Sequence, residues 1–275
     1  MNQRAQTIKK DATNRIKRLA AMMDEGKTEE LMAFLRQMSV FHHYSPFNQI
    51  LICSQRPSAT RVAGFKTWQK LDRWVKKGEH GIQILVPYKF KKRTDDGEDD
   101  IHLTFGVGHV FDIAQTDGEP LLSVNETKGD PGAALDRLRA LIRSENIELN
   151  EFAKIPVAGR AGYNADTGDR TIQTPPYAGD AKQFAVLVHE LAHQKLHLGP
   201  ETVDLDGQTE EAEAEAVAFV VSEAIGLDAA KAVKDYLQSW RVKAELLTAH
   251  LTRIQQTATW IIEAITTNKA AVSAA

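Results

Sequence analysis

Apolar residues along this chain return at two different periods, and the places where the period changes outline its elements. Over 5–23 and 27–42 they recur every three to four positions, the helical spacing, with Leu31, Phe34, Leu35 and Met38 on one face of the second segment and Gly26 ending the first. The stretch that follows predicts a short helix over 48–54, a break at Pro57, a strand over 61–64, a helix over 65–74, a KKGEHG turn and a strand over 82–88. KKRTDDGEDD reads as a charged hairpin tip, and IHLTFGVGHVFDI alternates as a strand should. SVNETKGDPGAA mixes Gly, Pro and charge without periodicity and so marks a linker. Beyond it come an amphipathic helix over 134–143, short strands at ELNEF and IPVAG, and a hairpin in GYNADTGDRTIQTPP. The second strand of that hairpin, 170–174, is stopped by Pro175 and Pro176. A helix over 182–198, a second long helix in TEEAEAEAVAFVVSEAIGL and one or two amphipathic helices after Asp228 complete the pattern, which contains no internal repeat. The expected class is α+β in two domains, 1–124 and 134–275, joined by a linker at 125–133. The second domain is mainly helical with a small sheet.

Composition fits that division. A chain of 275 residues with 43% hydrophobic and 26% charged positions is long enough for two medium domains. It has no apolar run of membrane-spanning length, and MNQRAQTIKKDATNRIKRLA lacks the apolar core of a secretory signal, so the expectation is a cytoplasmic protein with no membrane partner. The single cysteine, Cys53, lies in the apolar FNQILICS and reads as a core thiol. The net charge of −3 conceals an asymmetry: residues 1–124 hold 19 Lys and Arg against 15 Asp and Glu, and residues 125–275 hold 15 against 22. Within 56–93 the balance sharpens to 11 basic residues against Asp72 and Glu79, a candidate basic patch.

The chemical signal is AVLVHELAHQKLH at 185–197. On a helix, His189 and His193 lie four apart on one face, within reach of a single ion, and Glu190 stands beside them as a general base for a water on the metal. The apolar neighbours Ala185, Val186, Val188, Leu191 and Ala192 bury this helix, and a buried histidine pair needs a partner such as a metal. The extended motif that places a third histidine downstream is absent, since Leu196 and Gly199 occupy its Gly and His positions. A third ligand must come from elsewhere, and the acidic run Glu210, Glu211, Glu213, Glu215 is the available source. Glu211 and Glu215 share a face, so one can bind metal while the other holds a histidine N–H. His197 continues the histidine face a full turn beyond the metal and reads as structural. Ligand type points to Zn2+, with Mn2+, Co2+ or nickel also accommodated by two histidines and a glutamate.

HELAH followed by EEAEAEAVAFVV resembles the gluzincin pattern of the ImmA/IrrE metallopeptidases. That resemblance implies Glu211 as third ligand and Glu215 as its partner, holding a histidine N–H behind the metal. The register two residues on, which would put the ligand on Glu213, meets Val217 where a polar group belongs. RTIQTPP resembles the edge strand on which such enzymes dock an extended peptide.

In the N-terminal half, YSPFNQILI and ATRVAGFKTWQKLDRWVKKGEHGIQILVP with the hairpin after it resemble the N-terminal domain of ArdC-type antirestriction proteins, plasmid-associated single-stranded DNA binders joined to a zincin-like domain. The resemblance implies a protein that binds single-stranded DNA and carries a zinc site. The residues agree with it: single-strand binders combine cations along the backbone with aromatic faces for the bases. Arg61, Lys66, Lys70, Arg73, Trp74, Lys76 and Lys77 offer both, and Tyr44 adds a stacking candidate, whereas Phe65, Trp68 and Leu71 share a helix face and read as core. The leading expectation is an antirestriction or DNA-protection protein. Its alternative is a regulatory metallopeptidase with a repressor protein or peptide as substrate.

Overall fold

The structure is a computed structural model describing residues 3–25, 29–93, 99–118, 129–177, 179–200, 202–228, 240 and 244–267, with the backbone alone for 90–93, 99–102 and 244. The tip of the expected hairpin at 94–98, residues 125–128 of the expected linker and the segment 229–239 lie outside the described residues. The chain divides into two compact units, the first made of 1–19 and 44–122 and the second of 20–43 and 123–275. Helix α1 (Gln3–Asp24) buries a stripe of Ala5, Ile8, Ala12, Ile16, Leu19, Ala20 and Met23. Among the described residues no helix is long and apolar enough to cross a membrane.

In the first unit, α3 (Pro46–Gln55) starts where Ser45 accepts the Asn48 N–H, with Pro46 in the first turn, where its missing N–H costs nothing. Strands β1 (Val62–Gly64), β3 (Ile82–Arg93) and β4 (Asp99–Asp112) form an antiparallel sheet in the order β1-β4-β3, with Ile82 opposite Val110. The outer edge of β3 is covered by two amides of α3. Asn48 exchanges hydrogen bonds with the Leu85 backbone at 2.9 and 2.8 Å, and Gln55 does the same with Gln83 at 2.8 and 2.9 Å. These side chains act as a surrogate strand and protect an otherwise open edge.

The helix expected over 65–74 ends early. Helix α4 spans Phe65–Lys70, Asp72 takes a left-handed φ of 53°, and Arg73–Val75 becomes strand β2, paired with β5 (Thr116–Gly118). Of the three residues expected in the core there, Trp68 alone is buried, its indole donating to the Phe111 carbonyl at 2.8 Å, while Phe65 and Leu71 are exposed. The early stop is the reason: a face that would repeat along a three-turn helix is presented for little more than one. Cys53 is half-buried, and burial pushes its thiol up to about 12, away from reactivity.

The second unit is built on helices. Helix α2 (Glu29–Val40) buries Leu31, Phe34, Leu35 and Met38 and packs against α7 (Gly207–Ala224), which is why 20–43 group with this unit rather than with the expected first domain. Helix α8 (Ala244–Thr266) packs on α5 (Ala133–Ser144), α6 (Asp180–Leu196) and α7 through a fully buried column of Leu247, Leu251, Ile254, Ala258, Ile261 and Ile265, at alternating four- and three-residue steps. Helix α5 (Ala133–Ser144) precedes a sheet of β6 (Ile147–Asn150), β7 (Arg160–Tyr163) and β8 (Arg170–Gln173) in the order β6-β8-β7. Two sequence expectations change here. IPVAG is an irregular loop, and RTIQ is the central strand, not an edge, because β6 pairs with it in parallel on the side that the hairpin from β7 leaves open. The edge beside helix α6 (Asp180–Leu196) is β7.

Candidate metal centre and nucleic-acid face

Helix α6 carries His189, Glu190 and His193 because its other face, Phe184, Leu187, Val188, Leu191 and Ala192, is buried in the core of the unit. Helix α7 is started by Asp206, which accepts from the Thr209 N–H at 3.0 Å, and it brings Glu211 and Glu215 against the histidines. The His189 Nδ1 lies 2.9 Å from Glu215 Oε2, which leaves its Nε2 turned inward. The two Nε2 atoms are 3.1 Å apart, and Glu211 places its Oε2 3.5 Å from that of His189 and its Oε1 3.4 Å from that of His193. A tetrahedral zinc with bonds of about 2.1 Å sets its ligand atoms about 3.4 Å from one another. The donor set and its spacing therefore fit such an ion, and His189, His193 and Glu211 are the group among the described residues whose ligand atoms converge in this way.

Electrostatics point the same way. Burial by itself would lower the His189 pKa, but hydrogen bonds to Glu211 and Glu215 outweigh it and raise the value to about 9. The hydrogen bonds from the two histidines hold the Glu211 carboxylate far below the usual range. Both shifts report a pocket that attracts positive charge.

Glu190 is buried beside this cluster, and burial pushes its proton affinity up against the pull of the two histidines. Its carboxylate lies against Gly159, where a Cβ would sit 2.3 Å from Oε1, so any side chain at the last position of the loop that replaces the expected IPVAG strand would displace the carboxylate. The cluster opens into a cavity of about 750 Å³ walled by that loop, Arg160, Lys182, Ala185 and, deeper, Phe219 and Ser222. Residues at this rim escaped the sequence reading. Tyr177 donates to the Ala158 carbonyl at 2.6 Å and lies under the Lys182 ammonium, a local packing that no spacing rule announces.

Two other sequence-predicted positions resolve clearly. Glu213 is turned away from the cluster and fully buried, bonded to His197, His250 and Arg253 at 2.9, 2.7 and 3.0 Å. Burial would raise its pKa, yet these partners hold it down to about 2. His197 is buried between Glu213 and His193.

On the first unit, Arg61, Lys66, Lys70, Lys77 and Trp74 are exposed, the last at 55%. Lys76 is exposed but leans on the Ala114 carbonyl at 3.1 Å and on Asp117. Tyr44 is half-buried and its hydroxyl donates to the Val62 carbonyl at 3.1 Å. Arg73 departs from expectation: it is 7% exposed, and its guanidinium donates to the Thr116 side chain and carbonyl and to the Gly118 carbonyl, so it braces β2 against β5 instead of facing solvent. The switch from helix to strand at Asp72 turned it inward.

Residues 2–118 match the family model described as the N-terminal domain of anti-restriction factor ArdC. Over 254 residues the chain is 26% identical to an uncharacterized protein of Bacillus anthracis, an alignment covering 77% of this chain and 43% of that one, so the chain spans less than half of that relative's length. Among solved structures, the metal-free crystal structure of antirestriction ArdC protein from the R388 plasmid is similar in fold, with a TM-score of 0.55 at 21% identity over 92% of this chain and 97% of that one. A Mn(II)-bound structure of the R388 protein aligns with a TM-score of 0.48 at 20% identity, over 93% of this chain and 97% of the other.

Proposed function

We propose that this chain is an ArdC-type protein, a reading supported by the match of its residues 2–118, and that it acts in antirestriction or DNA protection by binding single-stranded DNA on its first unit and a divalent metal, zinc before manganese or cobalt, in its second. The observation that carries the metal half is the convergence of His189, His193 and Glu211 at the spacing of a tetrahedral ion, with Glu190 beside them at the mouth of a cavity. A bound divalent ion would supply Lewis-acid polarisation of a substrate carbonyl or a water. The chain's own residues do the rest. Glu215 orients His189, and Glu190, with its proton affinity raised by burial, takes and returns a proton at the cavity mouth.

The DNA half rests on the exposed cations Arg61, Lys66, Lys70 and Lys77 around the exposed indole of Trp74. Such a face binds through phosphates and stacking, with little sequence preference and strong salt dependence. A second reading, a regulatory metallopeptidase acting on a protein substrate, is favoured by one feature. Among the described residues β7 has a free edge, and Gly159, Arg160 and Ala161 line the cavity, so an extended peptide could add to the sheet across the cluster.

Zinc titration by calorimetry tests the metal centre: the wild type should take up one ion, and H189A and E211Q should lose it. No uptake by the wild type overturns the centre. Anisotropy of a labelled single-stranded oligonucleotide with duplex competitor tests the DNA half, and E190Q separates the two readings. Protection by binding survives that substitution, and proteolysis does not.

A further inference from the structure

His193 has two ring nitrogens, and each meets a different neighbour. Its Nε2 faces His189 and Glu211 in the candidate metal cluster, and its Nδ1 lies 3.0 Å from the Nδ1 of His197. Two facing imidazole nitrogens form a hydrogen bond when one carries the proton and the other accepts it. The far side of His197 settles which. Its Nε2 sits 2.9 Å from the Glu213 carboxylate, which also receives His250 Nδ1 at 2.7 Å and the Arg253 guanidinium at 3.0 Å. A carboxylate paired with arginine accepts and does not donate, so His197 gives it the Nε2 proton. As a neutral ring, His197 then keeps a lone pair on Nδ1. That lone pair accepts from His193, whose own lone pair is left, once an ion replaces the proton shared with Glu211, on Nε2, the atom aimed at the cluster.

We propose that Glu213, acting through His197, fixes the ring orientation and tautomer of His193 and thereby sets the metal affinity of the site, with His250 and Arg253 of α8 holding Glu213 in place. His197 and Glu213 are positioning residues in this arrangement and touch neither metal nor substrate. The placement supports it: both side chains are almost wholly excluded from solvent, and Arg253 also donates to the Leu196 carbonyl at 2.9 Å, tying the end of α6 to α8 beside His197. His189 has a shorter version of the same device in Glu215, so each histidine of the pair is oriented from behind by a carboxylate, one directly and one through a second imidazole. The inference rests on the metal reading of His189, His193 and Glu211.

The experiment is zinc titration of the full-length chain, wild type, H197F and H197Q, with circular dichroism to show that each is folded. Phenylalanine fills the space without an acceptor, and glutamine restores one. H197F is expected to bind zinc roughly 10- to 100-fold more weakly, the usual effect of removing such an outer partner, and H197Q is expected to recover part of the loss. Nitrogen-15 spectra of the zinc-loaded wild type give a second measurement that needs no variant: His197 should carry its proton on Nε2 and none on Nδ1. Wild-type protein that takes up no zinc overturns the metal reading itself. Wild type that binds zinc while folded H197F binds equally well, or a His197 protonated on Nδ1 in the loaded protein, overturns this inference alone.

Discussion

Replacing Glu213 with glutamine keeps the outline of the side chain and removes one buried charge, and the cost can be worked from the contacts. The carboxylate is fully buried, with Oε1 receiving His250 at 2.7 Å and Arg253 Nε at 3.1 Å, and Oε2 receiving His197 at 2.9 Å and Arg253 Nη2 at 3.0 Å. An amide has one accepting oxygen, so whichever way its NH₂ turns it faces a donor of Arg253. Arg253 loses its counter-ion, although its side chain is 22% exposed and part of its charge can reach water. The loss therefore falls at the lower end of the range for breaking a buried ion pair, about 3 kcal/mol. In a protein of this size 1 kcal/mol moves the thermal midpoint by roughly 2–4 °C, so E213Q should melt roughly 6–12 °C below the wild type. The assay is thermal unfolding by far-ultraviolet circular dichroism in the presence of EDTA, which removes any contribution from bound metal. A midpoint within about 2 °C of the wild type would refute the reasoning, since it would mean that the charge is not needed where the structure buries it. The double variant of Glu213→Leu with Arg253→Met gives the complementary check. Removing both charges together is often nearly neutral, so it should be more stable than E213Q. If it is less stable, the lost acceptor for His197 and His250, and not unpaired charge, explains the loss.

Three further outcomes are expected. Gly159→Ala sets a methyl 2.3 Å from Glu190 Oε1 and 2.8 Å from its Cδ and Cγ. The carboxylate must then swing by roughly 1 Å, a displacement that can slow a reaction about 10²-fold. Zinc-dependent cleavage in a fluorogenic peptide library should fall by that factor with zinc uptake unchanged, and an unchanged rate would remove Glu190 as the base. On the first unit, the triple variant of Lys66, Lys70 and Lys77 to alanine should make the log–log salt dependence of single-strand binding shallower by about 2, as about 0.7 counterion is released per phosphate contact. An identical slope would place the DNA elsewhere. In the second unit, burial, aided by the charge of His43, lowers the His42 pKa from 6.5 to about 4. The fold thus favours the neutral ring, and the unfolded chain binds more protons between these values. Its contribution to stability is complete above pH 6.5 and disappears as pH falls towards 4. The acid-side fall in melting temperature over that window should be less steep in His42→Gln, and parallel profiles would count against the assignment.

How much of this was legible in the sequence depends on how far the deciding partner lies along the chain. His189 with His193 and Glu211 with Glu215 are paired by helical spacing alone, so a local pattern reveals them. Glu213 lies between two residues of the acidic face and looks the same in one dimension, but its surroundings are made by His250 and Arg253, 37 and 40 residues further on. Arg73 is hidden for the same reason. It reads as one more cation in a basic run until Thr116, 43 residues later, claims its guanidinium. The place of β8 at the centre of its sheet depends on β6, which no feature of RTIQTPP encodes.

The alternation of glutamates on α7 then has a physical meaning. Positions two apart on a helix lie some 200° apart around its axis, so Glu211 and Glu215 can face the cavity while Glu213 faces α8. Glu211 is accordingly 47% exposed and Glu213 not at all. One helix thus reaches His193 from two sides, Glu211 at Nε2 and Glu213 through His197 at Nδ1. The buried column of α8 and the pairing of Arg253 with Glu213 fix the rotation of α7 about its axis. A change that turned α7 would withdraw the proposed third ligand, Glu211, and misorient His193 together. For that reason the packing of α8, remote from the cavity in sequence, belongs to the proposed metal centre as much as HELAH does.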